Sequence, residues 1–363
     1  MNSDLAADWT DCTSVPTPSL VIDEARLDRN IEAMASFASQ TGLGLRPHVK
    51  THKSIEIARR QLAAGARGIT VATISEAEVF ALAGFTDIFV AYPLWLDEEK
   101  AQRLRRILAI TPLLVGVDSR EGAAQLAQAT TGLWDRLSVL VEVDSGHHRS
   151  GVAPEQAGRV ASGSALSGLD VAGVFTFPGH SYAPEMGHAA AADEMNSLAV
   201  AVESLAREGL EARIVSGGST PSVAFANASV LTELRPGVYV FGDAQQWELG
   251  TCPADDIALS VLTTVVSRAA DRVIADAGSK VLAADRGAFS TGFGRLLDDP
   301  DARVTAVSEH HATITGVDYT PGTRIRLVPN HVCAAVNLAD EYIVMREGRV
   351  VGRWPVDARG RNR

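Results

Sequence analysis

Cysteine is scarce in this sequence of 363 residues, which contains only Cys12, Cys252 and Cys333. Their number is odd and they lie far apart, so no disulfide framework is implied and a reducing cytoplasm is the expected location. Residues 1–18 are polar and acidic and lack the apolar stretch of a signal peptide, and no apolar run approaches the length of a membrane span. These shortages argue against a disulfide-rich secreted scaffold and against a membrane protein.

Positive charge is also in short supply. The chain has 33 Lys and Arg against 44 Asp and Glu, a formal net charge of −11, which argues against nucleic acid or an anionic membrane as the main partner. Hydrophobic residues make up 46% and charged residues 21%, as in a soluble globular protein with a large core. The length suits one large domain and a smaller one.

The positive charge that is present is concentrated near residue 50. Five potential cations fall within eight residues, namely Arg46, His48, Lys50, His52 and Lys53. Strand-like alternation would place Arg46, His48, Lys50 and His52 on one side. Such a row suits an anionic ligand, and a lysine among cations can have its pKa lowered, which makes it a better nucleophile. A solvated basic turn is the alternative interpretation.

Apolar β-rich runs alternate with alanine-rich helical stretches over residues 43–241. The runs are Leu43–Val49, Gly68–Ile74, Asp87–Tyr92, Leu113–Val117, Leu137–Val143, Val171–Phe177, Ala212–Val215 and Gly237–Phe241. The helical stretches include Ser54–Ala64, Ser75–Ala83, Asp97–Ile110, Ser119–Ala129, Pro154–Ser162, Ala189–Glu208 and Pro221–Ala228. Near-continuous apolar strands separated by helices indicate a parallel sheet covered on both faces.

Eight such repeats favour an α/β fold of the closed (β/α)8 TIM-barrel type over an open sheet, and no glycine-rich dinucleotide fingerprint follows the first run. We assign residues 22–245 to this barrel. Residues 246–363, together with 1–21 and the short strand near Leu20, are predicted to form a smaller antiparallel β domain. Its predicted strands are Ile257–Ser267, Arg272–Ala275, Lys280–Ala284, Ala312–Val317, Arg324–Val328 and Glu341–Arg346.

In a barrel, functional groups belong at the carboxyl ends of the strands. Those ends carry Lys50, Thr73, Tyr92, Asp118, Asp144 with His148 and Arg149, His180 with Tyr182, Gly217–Thr220, and Arg235–Tyr239. Glycines in Gly217–Thr220 let backbone N–H groups approach an anion, and phosphate sites after strands seven and eight recur in barrels. A phosphate site and a strand-one lysine point to pyridoxal phosphate held as a Schiff base, although a sugar-phosphate aldolase would use similar parts.

The motif Arg46-Pro-His-Val-Lys-Thr-His-Lys53 resembles the cofactor-lysine motif of the D-serine dehydratase and D-threonine aldolase family, whose fold is that of alanine racemase. The resemblance runs from Thr17-Pro-Ser-Leu-Val to Pro329-Asn-His-Val-Cys333, nearly the whole chain. Gly-Gly-Ser-Thr and Glu233-Leu-Arg-Pro-Gly-Val-Tyr239 support it. The resemblance implies a barrel followed by a β domain and a homodimer.

Residue roles follow from the same resemblance. Lys50, rather than Lys53, is the expected Schiff-base and catalytic lysine, with His48 beside it. The phosphate is expected at Gly218, Ser219, Thr220, Gly237 and Tyr239. Arg235 matches the arginine that alanine racemase directs at the pyridine nitrogen. His180 and Tyr182 are expected to face the cofactor, and His148 and Arg149 to lie near its ring edge or the substrate carboxylate.

A metal site is expected at His331 and Cys333. On an extended segment these two side chains would point the same way, and imidazole with thiolate favours zinc. In the family the matching positions are metal ligands, and His-x-Cys is typical of the dehydratases whereas His-x-Asp is typical of the aldolases. Cys12 and Cys252 have no comparable partners.

The expected function is therefore a pyridoxal-phosphate- and metal-dependent lyase that converts a small β-hydroxy D-amino acid, such as D-serine, into a 2-oxo acid and ammonia. Retro-aldol cleavage of D-threonine or 3-hydroxy-D-aspartate to glycine and an aldehyde would use the same residues. A racemase is less expected, since it needs a second base, and the β domain offers only Tyr319 and Tyr342. A cofactor-carrying binding protein of one barrel would lack the β domain.

Overall fold

The computed structural model describes residues 14–363 as two compact units; Cys12 and most of the segment 1–21 lie outside these residues. The first, called here the parallel unit, comprises Met34–Lys50, Ile57–Gly237 and Arg361–Arg363. The second, the β unit, comprises Thr51–Glu56, Val238–Gly360 and the described residues up to Ala33.

Strands occur throughout both units. In chain order they are β1 (Ser19–Asp23), β2 (Gly44–Leu45), β3 (Ile69–Val71), β4 (Ile88–Pro93), β5 (Leu113–Val117), β6 (Leu137–Glu142), β7 (Asp170–Phe175), β8 (Ile214–Gly217), β9 (Glu233–Leu234), β10 (Leu259–Arg268), β11 (Val273–Ala275), β12 (Gly294–Leu296), β13 (Arg303–Val307), β14 (Ala312–Thr315), β15 (Arg324–Pro329), β16 (Glu341–Arg346) and β17 (Arg349–Pro355).

The longer helices alternate with the strands of the parallel sheet. The α-helices are α1 (Glu24–Gln40), α2 (Ile55–Ala63), α3 (Ile74–Leu82), α4 (Glu98–Ile110), α5 (Arg120–Ala129), α6 (Ala157–Leu166), α7 (Gly187–Arg207), α8 (Ala244–Glu248), α9 (Ser279–Leu282) and α10 (Val332–Val336). Asp23 accepts the backbone N–H of Arg26 at 3.0 Å and so caps the start of α1. Within residues 14–363, none of these helices is both long and apolar enough to cross a membrane.

The sheet of the parallel unit contains eight parallel strands in the order β2-β9-β8-β7-β6-β5-β4-β3. A parallel bridge between His48 and Thr70 joins the chain after β2 to β3, so hydrogen bonds run round the whole set of strands. Phe89, Leu140 and Phe175 pack with small residues in an apolar cluster of this sheet. Strands such as Leu113–Val117 are largely buried, as expected for a parallel sheet covered by helices.

Two predicted elements at the end of this sheet are wrong. The eighth strand is Glu233–Leu234, and the predicted strand Gly237–Phe241 instead contains a 3-10 helix at Val238–Val240. The predicted helix Pro221–Ala228 is only a 3-10 turn at Val223–Phe225. The β-branched and aromatic residues of 238–241 are buried in a turn rather than in a strand, so burial and not strand pairing accounts for their apolar character.

The β unit forms a nine-stranded sheet in the order β11-β14-β13-β12-β15-β10-β1-β16-β17. As predicted, the early strand joins it, since β1 pairs antiparallel with β10 and parallel with β16. The predicted strand Lys280–Ala284 is wrong, because Ser279–Leu282 is a short helix; an apolar run of this length does not distinguish the two. A parallel α/β sheet followed by a mainly antiparallel β domain is confirmed.

Candidate active site

A cavity of about 500 Å³ opens in the parallel unit at the carboxyl ends of several strands. Its volume lies within the range of small-molecule sites. It is lined by His48, Lys50, Ala72, Thr73, Ala91, Tyr92, Pro93, Asp118, Arg149, Ser150, Phe177 and Arg235. The structure thus brings together four of the predicted site residues: His48, Lys50, Arg149 and Arg235.

His48 is a neutral imidazole at the wall of this cavity. Burial and the nearby cations Lys50 and Arg235 hold its pKa well below the ordinary value. Its backbone N–H donates to the carbonyl of Pro236 at 3.0 Å, which fixes the chain just before Lys50. Its Nδ1 atom is buried and has no hydrogen-bond partner among the described residues. A buried nitrogen of this kind favours a polar ligand in the cavity.

Phe177 lines the cavity and lies close to several polar side chains. Lys50 Nζ lies 5.8 Å and Arg149 Cζ 5.0 Å from the centroid of its ring. The rings of His147 and Tyr182 also lie against it, at 5.6 and 6.1 Å. Sequence reasoning missed Phe177 because it closes an apolar run and was assigned to a strand. Its position, two residues after the end of β7, was the available signal.

Arg149 approaches a buried carboxylate, with its Nη2 atom 3.8 Å from Glu142 Oε1. Burial raises the pKa of Glu142, although a hydrogen bond from Ser150 and the charges of Arg149 and Arg235 oppose this. Since the Arg149 side chain is about half exposed, its guanidinium is accessible to an anionic group in the cavity.

Arg235 is the most deeply buried cation of the cavity. Its guanidinium lies 5.2 Å from the ring centroid of Phe175 and 5.5 Å from that of Phe89, and it donates a hydrogen bond to the Thr176 carbonyl. Burial lowers its pKa to about 10 although Glu233 and Glu194 attract the charge, and its Nε has no partner among the described residues. It remains a cation at neutral pH.

The predicted phosphate turn follows β8. Gly218 adopts a φ of 84°, which favours glycine, and its N–H donates to Glu194 Oε1 at 2.7 Å. The Ser219 hydroxyl lies 2.8 Å from those of Ser181 and Ser222. The structure thus assigns the Gly218 N–H, which was predicted to meet a phosphate, to a buried carboxylate that sequence reasoning missed. Gly237 ends the parallel unit, and Tyr239 is buried in the β unit.

The predicted row of cations around residue 50 is wrong in part. Only Gly44–Leu45 forms a strand, and the chain turns between Lys50 and Lys53, so alternation does not continue. Arg46 is buried and bonds Glu233 and Asp87 rather than lining the cavity. His52 and Lys53 belong to the β unit, where the Lys53 ammonium donates to the Ala358 carbonyl.

The loop after β6 carries two histidines, His147 and His148. His148 is 81% exposed and its Nδ1 bonds Asp144 at 2.7 Å, so it does not line the cavity. Its neighbour His147, which was not predicted, contacts Phe177 and has a pKa lowered by burial and by Arg149. His180 lies 3.3 Å from Asp193 through Nε2, and its Nδ1 is buried without a described partner.

His331 and Cys333 lie in the β unit. His331 is extended but caps α10, which contains Cys333, so the premise that both lie on one extended segment is wrong. The Nδ1 atom of His331 lies 2.5 Å from Asp285 Oδ2, and Cys333 Sγ lies 3.3 Å from Thr51 Oγ1. Burial lowers the pKa of His331, but the Cys333 sulfur and Asp285 raise it more, to about 11.

Comparison with known proteins identifies the class of the chain. Residues 22–245 match the family described as “Alanine racemase, N-terminal domain”, and residues 258–345 match “Putative serine dehydratase domain”. The chain belongs to the D-serine dehydratase and D-threonine aldolase family, which shares the fold of alanine racemase. This confirms the family that the motifs indicated.

Individual relatives match this chain over nearly its whole length. D-threo-3-hydroxyaspartate dehydratase of Delftia sp. is 37% identical over 94% of this chain and 97% of its own. The structure of D-threonine aldolase from Filomicrobium marinum aligns with a TM-score of 0.88 and 32% identity, covering 96% of this chain and 97% of that one. A variant of D-threo-3-hydroxyaspartate dehydratase in a metal-free form aligns with a TM-score of 0.86 and 34% identity, covering 94% of this chain and 97% of that one.

Proposed function

We propose that the protein is a pyridoxal-phosphate- and metal-dependent lyase that dehydrates a small β-hydroxy D-amino acid to a 2-oxo acid and ammonia. The observation that carries the proposal is that Lys50, together with His48, Arg149 and Arg235, lines one cavity. The dehydratase and aldolase activities named for the relatives support the same reaction class.

The residues of the cavity fit pyridoxal phosphate. Lys50 supplies the amine that holds such a cofactor. His48 Nδ1 and Arg235 Nε, which have no hydrogen-bond partner among residues 14–363, supply polar contacts for it. The turn at Gly218, Ser219 and Thr220 provides hydroxyl groups in the position where barrels bind phosphate. We propose further phosphate contacts from Gly237 and Tyr239, and ring contacts from His180 and Tyr182.

The donors at His331 and Cys333 fit a divalent metal such as zinc. A carboxylate on one ring nitrogen leaves the other to a metal, and Asp285 occupies Nδ1 of His331 in this way. Among residues 14–363 there is no group of three or more His, Cys, Asp or Glu arranged to hold a metal. We propose that the protein supplies these two ligands and that substrate or water completes the set. The metal-free form of the dehydratase variant supports metal use in this family.

The proposed chemistry divides between the cofactors and the chain. Pyridoxal phosphate, when bound, supplies an electron sink for negative charge at Cα, and a divalent metal supplies a Lewis acid for the departing β-hydroxyl. Lys50 Nζ accepts the α-proton. Arg149 binds the substrate carboxylate in place of His148, which does not reach the cavity. Arg235, a cation at neutral pH, stays at the buried end and orients the cofactor ring.

Retro-aldol cleavage is the second candidate, because the D-threonine aldolase of Filomicrobium marinum has the same fold throughout. Racemisation is disfavoured by the state of Tyr319 and Tyr342, the two tyrosines considered as its second base. Tyr319 donates to Asp299 at 2.7 Å and Tyr342 to the His52 carbonyl at 2.5 Å. Burial raises the pKa of both hydroxyls, so neither is suited to act as a base.

A product assay separates these reactions. The cofactor- and zinc-loaded enzyme is incubated with D-serine, D-threonine and 3-hydroxy-D-aspartate, with the L-isomers as controls. We expect 2-oxo acid and ammonia from a D-isomer. Glycine without 2-oxo acid would assign the aldolase reaction, and a racemic amino acid without either product would contradict both.

Metal use is tested separately. Zinc content of the purified protein is measured for wild type, His331→Ala and Cys252→Ala, the last being a buried thiol without a metal partner. We expect zinc to be lost from His331→Ala alone, and thorough chelation to abolish activity. Full activity after removal of zinc would show that His331 and Cys333 have only a structural role.

We also propose that the barrel domain is residues 22–245 and the β domain residues 246–363 with 1–21, and that the hydrogen-bonded ring of strands is a (β/α)8 barrel. A homodimer is proposed from the family resemblance, and a cytoplasmic location from the scarcity of cysteine. Sedimentation of the purified protein at micromolar concentration tests the oligomeric state, and a single species of about 38 kDa, the mass of one chain, would contradict it.

A further inference from the structure

Glu194, on α7, is a buried carboxylic acid that the proposed chemistry does not use. Its side chain is 1% exposed, and Oε1 accepts the Gly218 N–H at 2.7 Å. A Cβ atom at position 217 would lie only 2.3 Å from that oxygen. Gly217 is therefore needed because a side chain at this position would collide with the carboxyl group. Gly218 supplies the N–H that the carboxyl group accepts.

The same turn is held from its other side. The Arg235 N–H donates to the Gly217 carbonyl at 2.7 Å, and the Ser219 N–H donates to Ser222 Oγ at 3.1 Å. The Ser219 hydroxyl is placed by its contact with Ser181 at 2.8 Å. Because Glu194 already occupies the Gly218 N–H, contacts to an anion fall to other groups of the turn, whose positions depend on how the Gly218 peptide is fixed.

We propose that Glu194 is a positioning residue for the phosphate of the cofactor. By accepting the Gly218 N–H it fixes the backbone that presents Ser219 and Thr220 to the phosphate. The inference rests on the proposed function, since the phosphate belongs to the cofactor proposed there. It adds a residue on a helix, remote from Lys50 in sequence, to the phosphate site.

The charge of Glu194 is compatible with this role. Burial raises its pKa to about 7, although the Gly218 N–H and the charge of Arg235 oppose the rise. At or below neutral pH a large share of the group is therefore protonated, and a protonated carboxyl still accepts a hydrogen bond through its carbonyl oxygen. A phosphate beside it is spared the repulsion of a full negative charge.

The test compares two ligands that differ only in the phosphate. Apo-protein is titrated with pyridoxal phosphate and with pyridoxal, and binding is followed by absorbance for wild type, Glu194→Ala and Glu194→Gln. Without its acceptor the Gly218 peptide is no longer fixed, so the turn must be ordered again when the phosphate binds, and an ordering cost of about 1.4 kcal/mol weakens binding about tenfold. We expect Glu194→Ala to lower the affinity for pyridoxal phosphate by at least about tenfold and the affinity for pyridoxal by less than about threefold. Glu194→Gln keeps an acceptor oxygen and should restore most of the affinity.

Ser204→Ala is the matched control, since Ser204 is a buried polar residue of the same helix whose hydroxyl bonds Glu155 and Gly158 away from the turn. It should leave both affinities unchanged. If Glu194→Ala does not fold, Glu194→Asp replaces it, because the shorter side chain keeps the carboxylate but moves its oxygen away from the Gly218 N–H. We expect the same loss of affinity for pyridoxal phosphate from this variant. An equal loss of affinity for both ligands, or an unchanged affinity for pyridoxal phosphate, would overturn the inference. Wild type that binds neither ligand would instead overturn the proposed function.

Discussion

The ionisable residues of the proposed site differ in charge and in exposure. His48 is held neutral by burial and neighbouring cations, whereas Arg235 remains charged at neutral pH in spite of its burial. Arg149 is half exposed and paired only loosely with Glu142. The cavity therefore combines one fixed cation, one accessible cation and one neutral imidazole around Lys50, as a site for an anionic cofactor and an amino-acid substrate requires.

Glu194 also predicts a dependence of stability on pH. Its pKa is raised from 4.5 to about 7 on folding, so its contribution to stability is fully present below pH 4.5 and is lost as the pH rises through about 7. At 1.36 kcal/mol per pKa unit, the loss is about 3 kcal/mol at most. Glu194→Gln cannot ionise, so between pH 4.5 and pH 8 it should gain stability relative to wild type by up to that amount.

Urea denaturation of apo wild type and Glu194→Gln at several pH values measures this difference. The two proteins share every other titrating group, so subtracting one curve from the other isolates Glu194. A difference in unfolding free energy that is flat between pH 4.5 and pH 8 would show that Glu194 has an ordinary pKa.

At the scale of the elements, Arg46 joins neighbouring strands of the parallel sheet. Its Nε lies 3.0 Å from Glu233 Oε1 on β9, and its Nη1 bonds Asp87 just before β4. Arg46 and Glu233 are only 4% and 2% exposed, and Ser216 on β8 donates to Glu233 at 2.7 Å. The arginine of the motif thus stabilises the sheet that presents Lys50, and does not bind the ligand.

Arg46→Met should therefore destabilise the protein by about 3–5 kcal/mol, because it leaves the Glu233 charge buried without its partner. Arg46→Met with Glu233→Leu, which removes both charges, should recover most of the loss. Denaturant unfolding of both single variants and the double variant measures the coupling. Additive effects of the two substitutions would contradict a direct ion pair.

Most elements of the parallel sheet were predictable because apolar strands and helices differ in length and period, as in Leu113–Val117 and Glu98–Ile110. The eighth strand was not, because Glu233 looks unsuited to a buried strand until Arg46, distant in sequence, neutralises it. The cavity residues at the strand ends were predictable because functional groups of a barrel lie at the carboxyl ends of its strands. Glu194 and Asp285 did not, since each acts through a partner far along the chain, at Gly218 and His331.

At the scale of the whole molecule, a chain of net charge −11 places the cationic groups Lys50, Arg149 and Arg235 around one cavity. A small anionic ligand is attracted there, while the overall negative charge disfavours polyanionic partners. The resemblance to the relatives spans nearly the full length of the chain, so the order of domains, and not a local motif alone, supports the proposed reaction class.

Cofactor binding should also stabilise the whole fold. A ligand that binds only the folded state adds about 2.7 kcal/mol at a free concentration of 100 times its dissociation constant. Thermal unfolding of apo-protein with increasing pyridoxal phosphate should therefore show a rising Tm, whereas inorganic phosphate at the same concentration should have little effect. An unchanged Tm with pyridoxal phosphate would contradict binding to the folded state.

The central claim is that Lys50 is the residue that carries the cofactor, and the visible absorbance of the purified protein tests it most directly. Wild type loaded with pyridoxal phosphate should be yellow, and Lys50→Ala should lose the band and at least about a thousandfold in activity. Lys53→Met is the matched control, because Lys53 bonds Ala358 in the β unit and should not affect the colour. A colourless wild type, or a band that survives in Lys50→Ala and disappears in Lys53→Met, would contradict the account.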